Sequence, residues 1–271
     1  MKIIRFVDAA GQTHLGIPHD DSYAELLGGD LWQGLSRTGE ILEISRLLAP
    51  LDPKQILCIG LNYREHALET GAKIPEYPVL FMKTLNAVQD PGGPVVLPRH
   101  LRSDEVDYEV ELAVVIGKPA RNVSRLHALD YVLGYTAAID VSARDWQKQR
   151  SGTQWCRAKS FDTFCPLGPC LVTTEDLGNA ADLRLTTEVN GVRLQDARTS
   201  DMIFDVPALI EFLSGDTTLL PGTVILTGTP HGVGMSRQPP VWLQDGDTLS
   251  VTIEGIGTLT HRVVAGSDVP G

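Results

Sequence analysis

Apolar positions fall mostly into short runs with a period of two, and long stripes with a period near 3.6 are scarce. Ile3-Ile-Arg-Phe-Val7 alternates as a strand, a turn follows at Ala10-Gly11, and a second short strand runs from His14 to Ile17. Ser22-Tyr-Ala-Glu-Leu-Leu27 then reads as helical, and Asp52-Pro53 punctuates the end of this opening module. After the apolar run Ile56-Leu-Cys-Ile-Gly60, Asn62 can cap and Gly71 can stop a short helix. Pro75, Pro78, Pro91, Pro94 and Pro98 break the next stretch into extended pieces. From Tyr108 onward strands dominate, with helical segments from Ala143 to Arg150 and from Val206 to Leu213, the latter ended by Gly215. Asn190-Gly191 is the favoured type I′ hairpin signal, and Asp245-Gly-Asp247 opens a second hairpin ending at His261-Arg-Val-Val264. Strands do not alternate with long helices, so a doubly wound sheet is not expected. The pattern predicts an α+β, mostly β fold with a small N-terminal α+β module over 1–52 and a larger unit over 53–271.

One run breaks the apolar pattern. In Val106-Asp-Tyr-Glu-Val-Glu-Leu-Ala-Val-Val-Ile116 the parity of a strand puts Glu109 and Glu111 on one face with Ala113 and Val115, while Tyr108, Val110, Leu112 and Val114 face the other way. A solvated acidic face competes with a buried one on pattern alone, but the glutamates run into apolar surface. Two unpaired carboxylates buried side by side would force one to hold a proton. A divalent cation removes that conflict, and hard oxygen ligands suit Mg²⁺, Mn²⁺ or Ca²⁺. Asp140, delivered by the buried run Tyr131 to Ile139, is the third candidate ligand. Ser142-Ala-Arg-Asp145 has capping-box spacing, which gives Asp145 a structural explanation that Asp140 lacks.

His66 and Glu69 stand three apart on the short helix, so they can meet as a carboxylate-oriented base or merely as a surface pair. Lys159 is a lone lysine between apolar groups, readable also as a snorkelling surface side chain. Thr227-Gly-Thr-Pro-His-Gly-Val-Gly234 offers hydroxyls and backbone amides to an anion, yet is neither a P-loop nor G-x-G-x-x-G.

The 271 residues carry 34 acidic and 23 basic side chains, a formal charge of -11, which argues against nucleic-acid or anionic-membrane partners. No export or membrane segment is visible. Cys58, Cys156, Cys165 and Cys170 show no C-x-x-C spacing and fit a reducing, cytoplasmic setting.

Five segments, Leu57 to His66, Glu109-Val-Glu111, Ile139 to Gln147, Lys159 to Gly168 and Ile225 to Gly234, together resemble the fumarylacetoacetate hydrolase family, especially its subgroup of fumarylacetoacetate hydrolase domain-containing proteins. The resemblance implies a β-roll or sandwich around a metal, and usually a homodimer. It implies that Glu109, Glu111 and Asp140 bind Mg²⁺ or Mn²⁺, that His66 and Glu69 activate water, and that Lys159 stabilises developing negative charge. Arg144, Gln147 and Thr229, with Lys83, would line the substrate site. The expected substrate is a small 2-oxo acid passing through a metal-bound enolate. Acylpyruvate or fumarylpyruvate hydrolysis leads as the expected reaction. Oxaloacetate tautomerisation or decarboxylation follows, then an isomerase of the 2-hydroxyhepta-2,4-diene-1,7-dioate type or a non-catalytic 2-oxo acid binder.

Overall fold

The computed structural model describes residues 1–266, so the last five residues of the unit expected over 53–271 lie outside it. Among the described residues, one large sheet runs in spatial order from Gly34–Glu43 through Tyr23–Asp30, Thr13–Pro18 and Lys2–Val7 to Cys165–Thr173. It continues through Val132–Ile139, Val110–Ile116, Thr223–Leu226 and Gln55–Gly60 to the edge strand Val79–Lys83. The opening strands thus extend the sheet that carries the acidic strand, with Lys2 opposite Val172 and Ile3 opposite Leu171. A five-stranded sheet (Val192–Arg198, Arg184–Val189, Thr248–Ile253, Gly257–Ala265, Val95–Leu97) packs on the first, and Leu185, Val251 and Leu259 share one buried cluster with Leu112, Val114 and Leu167. The fold is α+β and mostly β, as the sequence pattern predicts. Among the described residues no helix is long and apolar enough to cross a membrane.

Strand direction explains where chemistry collects. Thr223–Leu226 and Gln55–Gly60 are parallel, with Leu226 opposite Cys58, so both chains leave the sheet at the same edge. Val110–Ile116 runs antiparallel to Thr223–Leu226 and therefore begins at that edge, and Val132–Ile139 ends there, with Ile139 opposite Val110. The segments carrying His66, Glu109, Asp140 and Thr229 consequently meet at one rim of the sheet. A backbone hydrogen bond from Asp140 N to Glu109 O, 2.9 Å long, fixes two of them directly.

Both predicted hairpins form. Asn190 and Gly191 take φ of 52° and 78°, the left-handed pair that a type I′ turn requires. The second hairpin joins Thr248–Ile253 to Gly257–Ala265. The predicted helix near Val206 spans Val206–Ser214, capped by the Asp205 carboxylate, which accepts from Ala208 N.

Three local expectations are corrected. The segment expected to be helical at Ser22–Leu27 is the strand Tyr23–Asp30, paired on both sides. Just upstream an Asx turn forms, in which Asp20 Oδ1 accepts from Ser22 N and Tyr23 N, and Gly28-Gly29 disfavours a helix. Asn62 does not cap the short helix, which spans Arg64–Glu69; its amide instead donates to Phe204 O and Thr227 O and accepts from Phe204 N. The helix expected from Ala143 begins at Arg144 and turns π-type over Trp146–Arg150, because Ser142–Ala143 pairs with Val106–Asp107. Ser142 Oγ donates to Asp140 O, so the capping box does not form, and Asp145 itself is the cap.

Candidate active site

The acidic run is interrupted. Val106–Asp107 and Val110–Ile116 are separate strands, and the break at Tyr108-Glu109 lets the chain cross from one sheet partner to another. Both glutamates are nonetheless buried, Glu109 at 4% and Glu111 at 1% exposure, and Asp140 is fully buried beside them. Each of the three offers an oxygen within 4.8 Å of the others.

Three buried cations answer these carboxylates unevenly. Lys159 Nζ donates to Glu109 Oε2 at 2.7 Å and to Asp140 Oδ2 at 2.6 Å, while Lys83 Nζ donates to Asp140 Oδ1 at 2.5 Å. Arg144 bridges Glu109 Oε1 at 2.5 Å and Asp107 Oδ2 at 2.8 Å, and its remaining arm reaches Gln147 Oε1 at 2.9 Å. Burial pushes Glu109 up, but Arg144 and Lys159 overcome it and hold the carboxylate ionised. Burial likewise pulls the Lys159 ammonium down, and Asp140 with Glu109 more than restores it. Among the described residues no cation bonds to Glu111: burial, then Asp140, then Glu109 drive its pKa well above the ordinary range, and Lys159 offsets this only in part. Its oxygen accepts from Gly228 N at 2.7 Å, a dipole rather than a charge.

That imbalance is the test of fit for a cation. Asp107, Glu109, Glu111 and Asp140 are four buried carboxylates against the three cations Lys83, Arg144 and Lys159, and the carboxylate left without a cationic side chain is one of the clustered triad. An all-oxygen set of this kind fits a hard divalent ion.

The helix Arg64–Glu69 brings His66 to the same rim. His66 Nδ1 lies 2.8 Å from Glu69 Oε1, and Glu69 also accepts from Gly232 N at 3.0 Å. Burial raises Glu69, but the bonds from His66 and Gly232 win and hold it below its ordinary value. An ionised carboxylate can only accept, so Nδ1 carries a hydrogen, and it is Nε2 that can give up or take a proton. The expected anion loop Thr227 to Gly234 does bind anions, but they are the protein's own carboxylates. Besides Gly228 and Gly232, Gly234 N and Met235 N donate to Asp107 at 2.7 and 3.1 Å.

A cavity of about 290 Å³ opens between these elements. His66, the triad and Lys159 line it, as do Arg144, Gln147 and Thr229. Phe81 and Trp155, which sequence reasoning did not single out, form its apolar wall, and Lys148 sits at its border. Glu69 is placed behind His66 rather than in the lining. Lys83 lies outside the lining too, its ammonium fully buried against the far oxygen of Asp140 and Val141 O. Contact with a ligand in the cavity therefore falls to Lys159, not Lys83.

Asp107 is the residue that sequence reasoning passed over, although strand parity puts it two positions from Glu109. It is fully buried and receives Arg144, Gly234 N and Met235 N. Asp107→Ala leaves a buried guanidinium with one carboxylate fewer, and the expected loss is about 3–5 kcal/mol in denaturant unfolding. An unchanged midpoint would show that the pair is not holding Arg144.

The sequence model described as fumarylacetoacetate (FAA) hydrolase C-terminal matches residues 55–264, and one described as Rv2993c-like, N-terminal matches residues 1–50. A mitochondrial oxaloacetate tautomerase of Xenopus laevis is 46% identical over 219 residues, covering 80% of this chain and 68% of that protein. The crystal structure of a 2-hydroxyhepta-2,4-diene-1,7-dioate isomerase from Mycobacterium marinum superposes with a TM-score of 0.85 at 42% identity, over 99% of this chain and 100% of that one. A 5-carboxymethyl-2-hydroxymuconate delta-isomerase from Mycobacterium smegmatis gives 0.85 at 40% identity, over 98% and 100%. With the matched region spanning every segment that builds the cavity, the chain belongs to the fumarylacetoacetate hydrolase family.

Proposed function

We propose that the protein catalyses keto-enol tautomerisation of a small dicarboxylic 2-oxo acid, with oxaloacetate as the leading substrate. The observation that carries this reading is a single oriented base, His66, facing a buried oxygen cluster and an ammonium across a small cavity with an apolar wall. The sequence alone put acylpyruvate hydrolysis first. The Xenopus laevis and Mycobacterium relatives described above reorder that expectation: at 40–46% identity they are described as a tautomerase and isomerases, which move protons without adding water, whereas a fumarylacetoacetate hydrolase from Exiguobacterium antarcticum is 35% identical.

Glu109, Glu111 and Asp140 would hold Mg²⁺ or Mn²⁺, which when bound supplies positive charge that favours the enolic form of a 2-oxo acid. The side chains perform the proton transfers. His66 Nε2 takes the proton from the enol hydroxyl and returns one to C3, and Glu69 stabilises the imidazolium that exists in between. Lys159 donates to the oxygen that gains negative charge, while Arg144, Gln147 and Thr229 hold the carboxylates. Phe81 and Trp155 keep bulk water from the enolate.

The test is an assay of freshly dissolved enol-oxaloacetate with Mg²⁺, following loss of enol absorbance and scoring CO₂ release separately. Acetylpyruvate cleavage is measured alongside. Acceleration of enol loss over the Mg²⁺ background, without matching CO₂, is the expected result. Cleavage of acetylpyruvate with no effect on the enol would restore the hydrolase reading.

The proposal includes a homodimer in the cytoplasm. The edge strand Val79–Lys83 exposes Leu80 and Met82, an apolar edge suited to a second copy. Light scattering of the purified chain tests the dimer and cell fractionation tests the compartment, the Xenopus laevis relative being described as mitochondrial.

A further inference from the structure

Gln195 lies on the strand Val192–Arg198 of the second sheet, 1% exposed, and its side chain reaches across to the rim of the first. Its Oε1 accepts from Val110 N at 3.1 Å and from Thr187 Oγ1 at 2.7 Å. Its Nε2 donates to Pro230 O at 2.9 Å and lies 2.9 Å from Thr229 Oγ1. The orientation of this amide is fixed by chemistry. The backbone N–H of Val110 can only donate, so the atom facing it must be the oxygen; the carbonyl of Pro230 can only accept, so the atom facing it must be the nitrogen. Nε2 has two hydrogens, one for Pro230 O and one for Thr229. Thr229 Oγ1 must therefore accept.

A hydroxyl that accepts from one neighbour keeps its own single proton for another. Thr229 is 4% exposed and lines the cavity, and among the described residues the bond from Gln195 is its side chain's one hydrogen bond. We propose that Gln195 is a positioning residue that leaves the Thr229 hydroxyl proton free to be donated to the ligand, so that this corner of the cavity favours a hydrogen-bond acceptor, a carboxylate oxygen, over an amide N–H donor. Gln195 also ties this preset to the acidic strand, because Val110 is the residue between Glu109 and Glu111. The assignment rests on the reading of the cavity as a 2-oxo acid site.

The experiment is a double-mutant cycle read by calorimetric binding of oxalate, an acceptor-only dianion, in saturating Mg²⁺. Thr229→Val removes the hydroxyl at nearly constant shape. Gln195→Glu keeps shape and the acceptor for Val110 and Thr187, but replaces both donor hydrogens by an oxygen that draws the Thr229 proton away from the cavity. Each single variant is expected to weaken oxalate binding about tenfold. The double variant is expected to bind no more weakly than Thr229→Val, because Gln195 acts through Thr229. The loss with oxaloacetate appears in KM more than in kcat, as for an interaction made equally in ground and transition states.

Additive losses, or a Gln195→Glu variant that binds oxalate as wild type does, would overturn the assignment, since a new buried charge or a structural defect acts whether or not the hydroxyl is present. Should Gln195→Glu fail to fold, Thr229→Ser decides. Gln195 would direct a serine proton the same way, so oxalate affinity stays within about twofold of wild type; affinity as low as Thr229→Val overturns the idea. Wild-type protein that does not bind oxalate in Mg²⁺ would instead sink the 2-oxo acid reading itself and this assignment with it.

Discussion

His66→Gln lowers enol-oxaloacetate turnover by about 10²–10⁴-fold, the range for removing a positioned acid-base group, while Mg²⁺ affinity stays within about twofold. The separation follows from the geometry. His66 contacts Glu69 and lines the cavity but makes no hydrogen bond to Glu109, Glu111 or Asp140, whose recorded partners are Lys83, Arg144, Lys159 and Gly228 N. Glutamine retains a donor toward Glu69 yet cannot carry a proton in either direction. The comparison is made on initial rates of enol loss with Mg²⁺ titrated by calorimetry on the same preparations. A variant within fivefold of wild type would mean that the proton moves by another route, and a joint loss of Mg²⁺ would mean that the helix Arg64–Glu69 supports the cation site.

Glu111→Gln has an effect of opposite sign on two quantities. Because burial, Asp140 and Glu109 press on Glu111 and no cationic side chain among the described residues bonds to it, removing its charge stabilises the metal-free fold, by about 1.4 kcal/mol for each pH unit between its unfolded value and its raised folded one. The same change removes a hard ligand, so Mg²⁺ affinity falls by more than the roughly 10–100-fold typical of groups that only support ligands. The pH dependence follows from linkage. A carboxyl whose folded pKa is raised binds protons more tightly in the folded state, so its contribution is present at low pH and is lost as pH rises from its unfolded value, about 4.3, through the raised one. In chelator, wild type should therefore lose stability over that rise more steeply than Glu111→Gln, and Mg²⁺ should restore wild type alone. Thermal melts across pH, with and without Mg²⁺, supply the measurement. Equal slopes in the two proteins would show that Glu111 is not the strained carboxylate.

What the chain discloses before folding depends on how local the cause is. The Asn190-Gly191 turn and the Asp205-capped helix are fixed by residues a few positions apart, and both appear where the pattern puts them. Strand parity led to Glu109 and Glu111, and the same parity could have led to Asp107. Ser22 to Leu27 reads as helical because its pairing partners, Thr13–Pro18 and Gly34–Glu43, lie outside the short window that such a reading uses. Asn62 was mistaken for a cap because its true partners, Phe204 and Thr227, are more than a hundred positions away. Lys83 illustrates the limit of a family pattern: resemblance brings it to the site, but only coordinates tell which side of Asp140 it occupies. The Gly228, Gly232 and Gly234 amides are legible as donors to an anion, but that the anions are Glu111, Glu69 and Asp107 depends on contacts far along the chain.

Those amides set a boundary on how such a protein can diversify. One stretch of backbone, from Gly228 to Met235, meets the base pair through Glu69, the oxygen cluster through Glu111 and the guanidinium anchor through Asp107. A shift that improved one of these contacts would disturb the other two, so the loop has little freedom to be retuned for a new substrate. Phe81, Lys148 and Trp155 touch the cavity without belonging to that set of bonds. Variation in substrate preference among proteins built this way should accumulate on that wall, where a change of side chain alters the room available and leaves the chemistry in place.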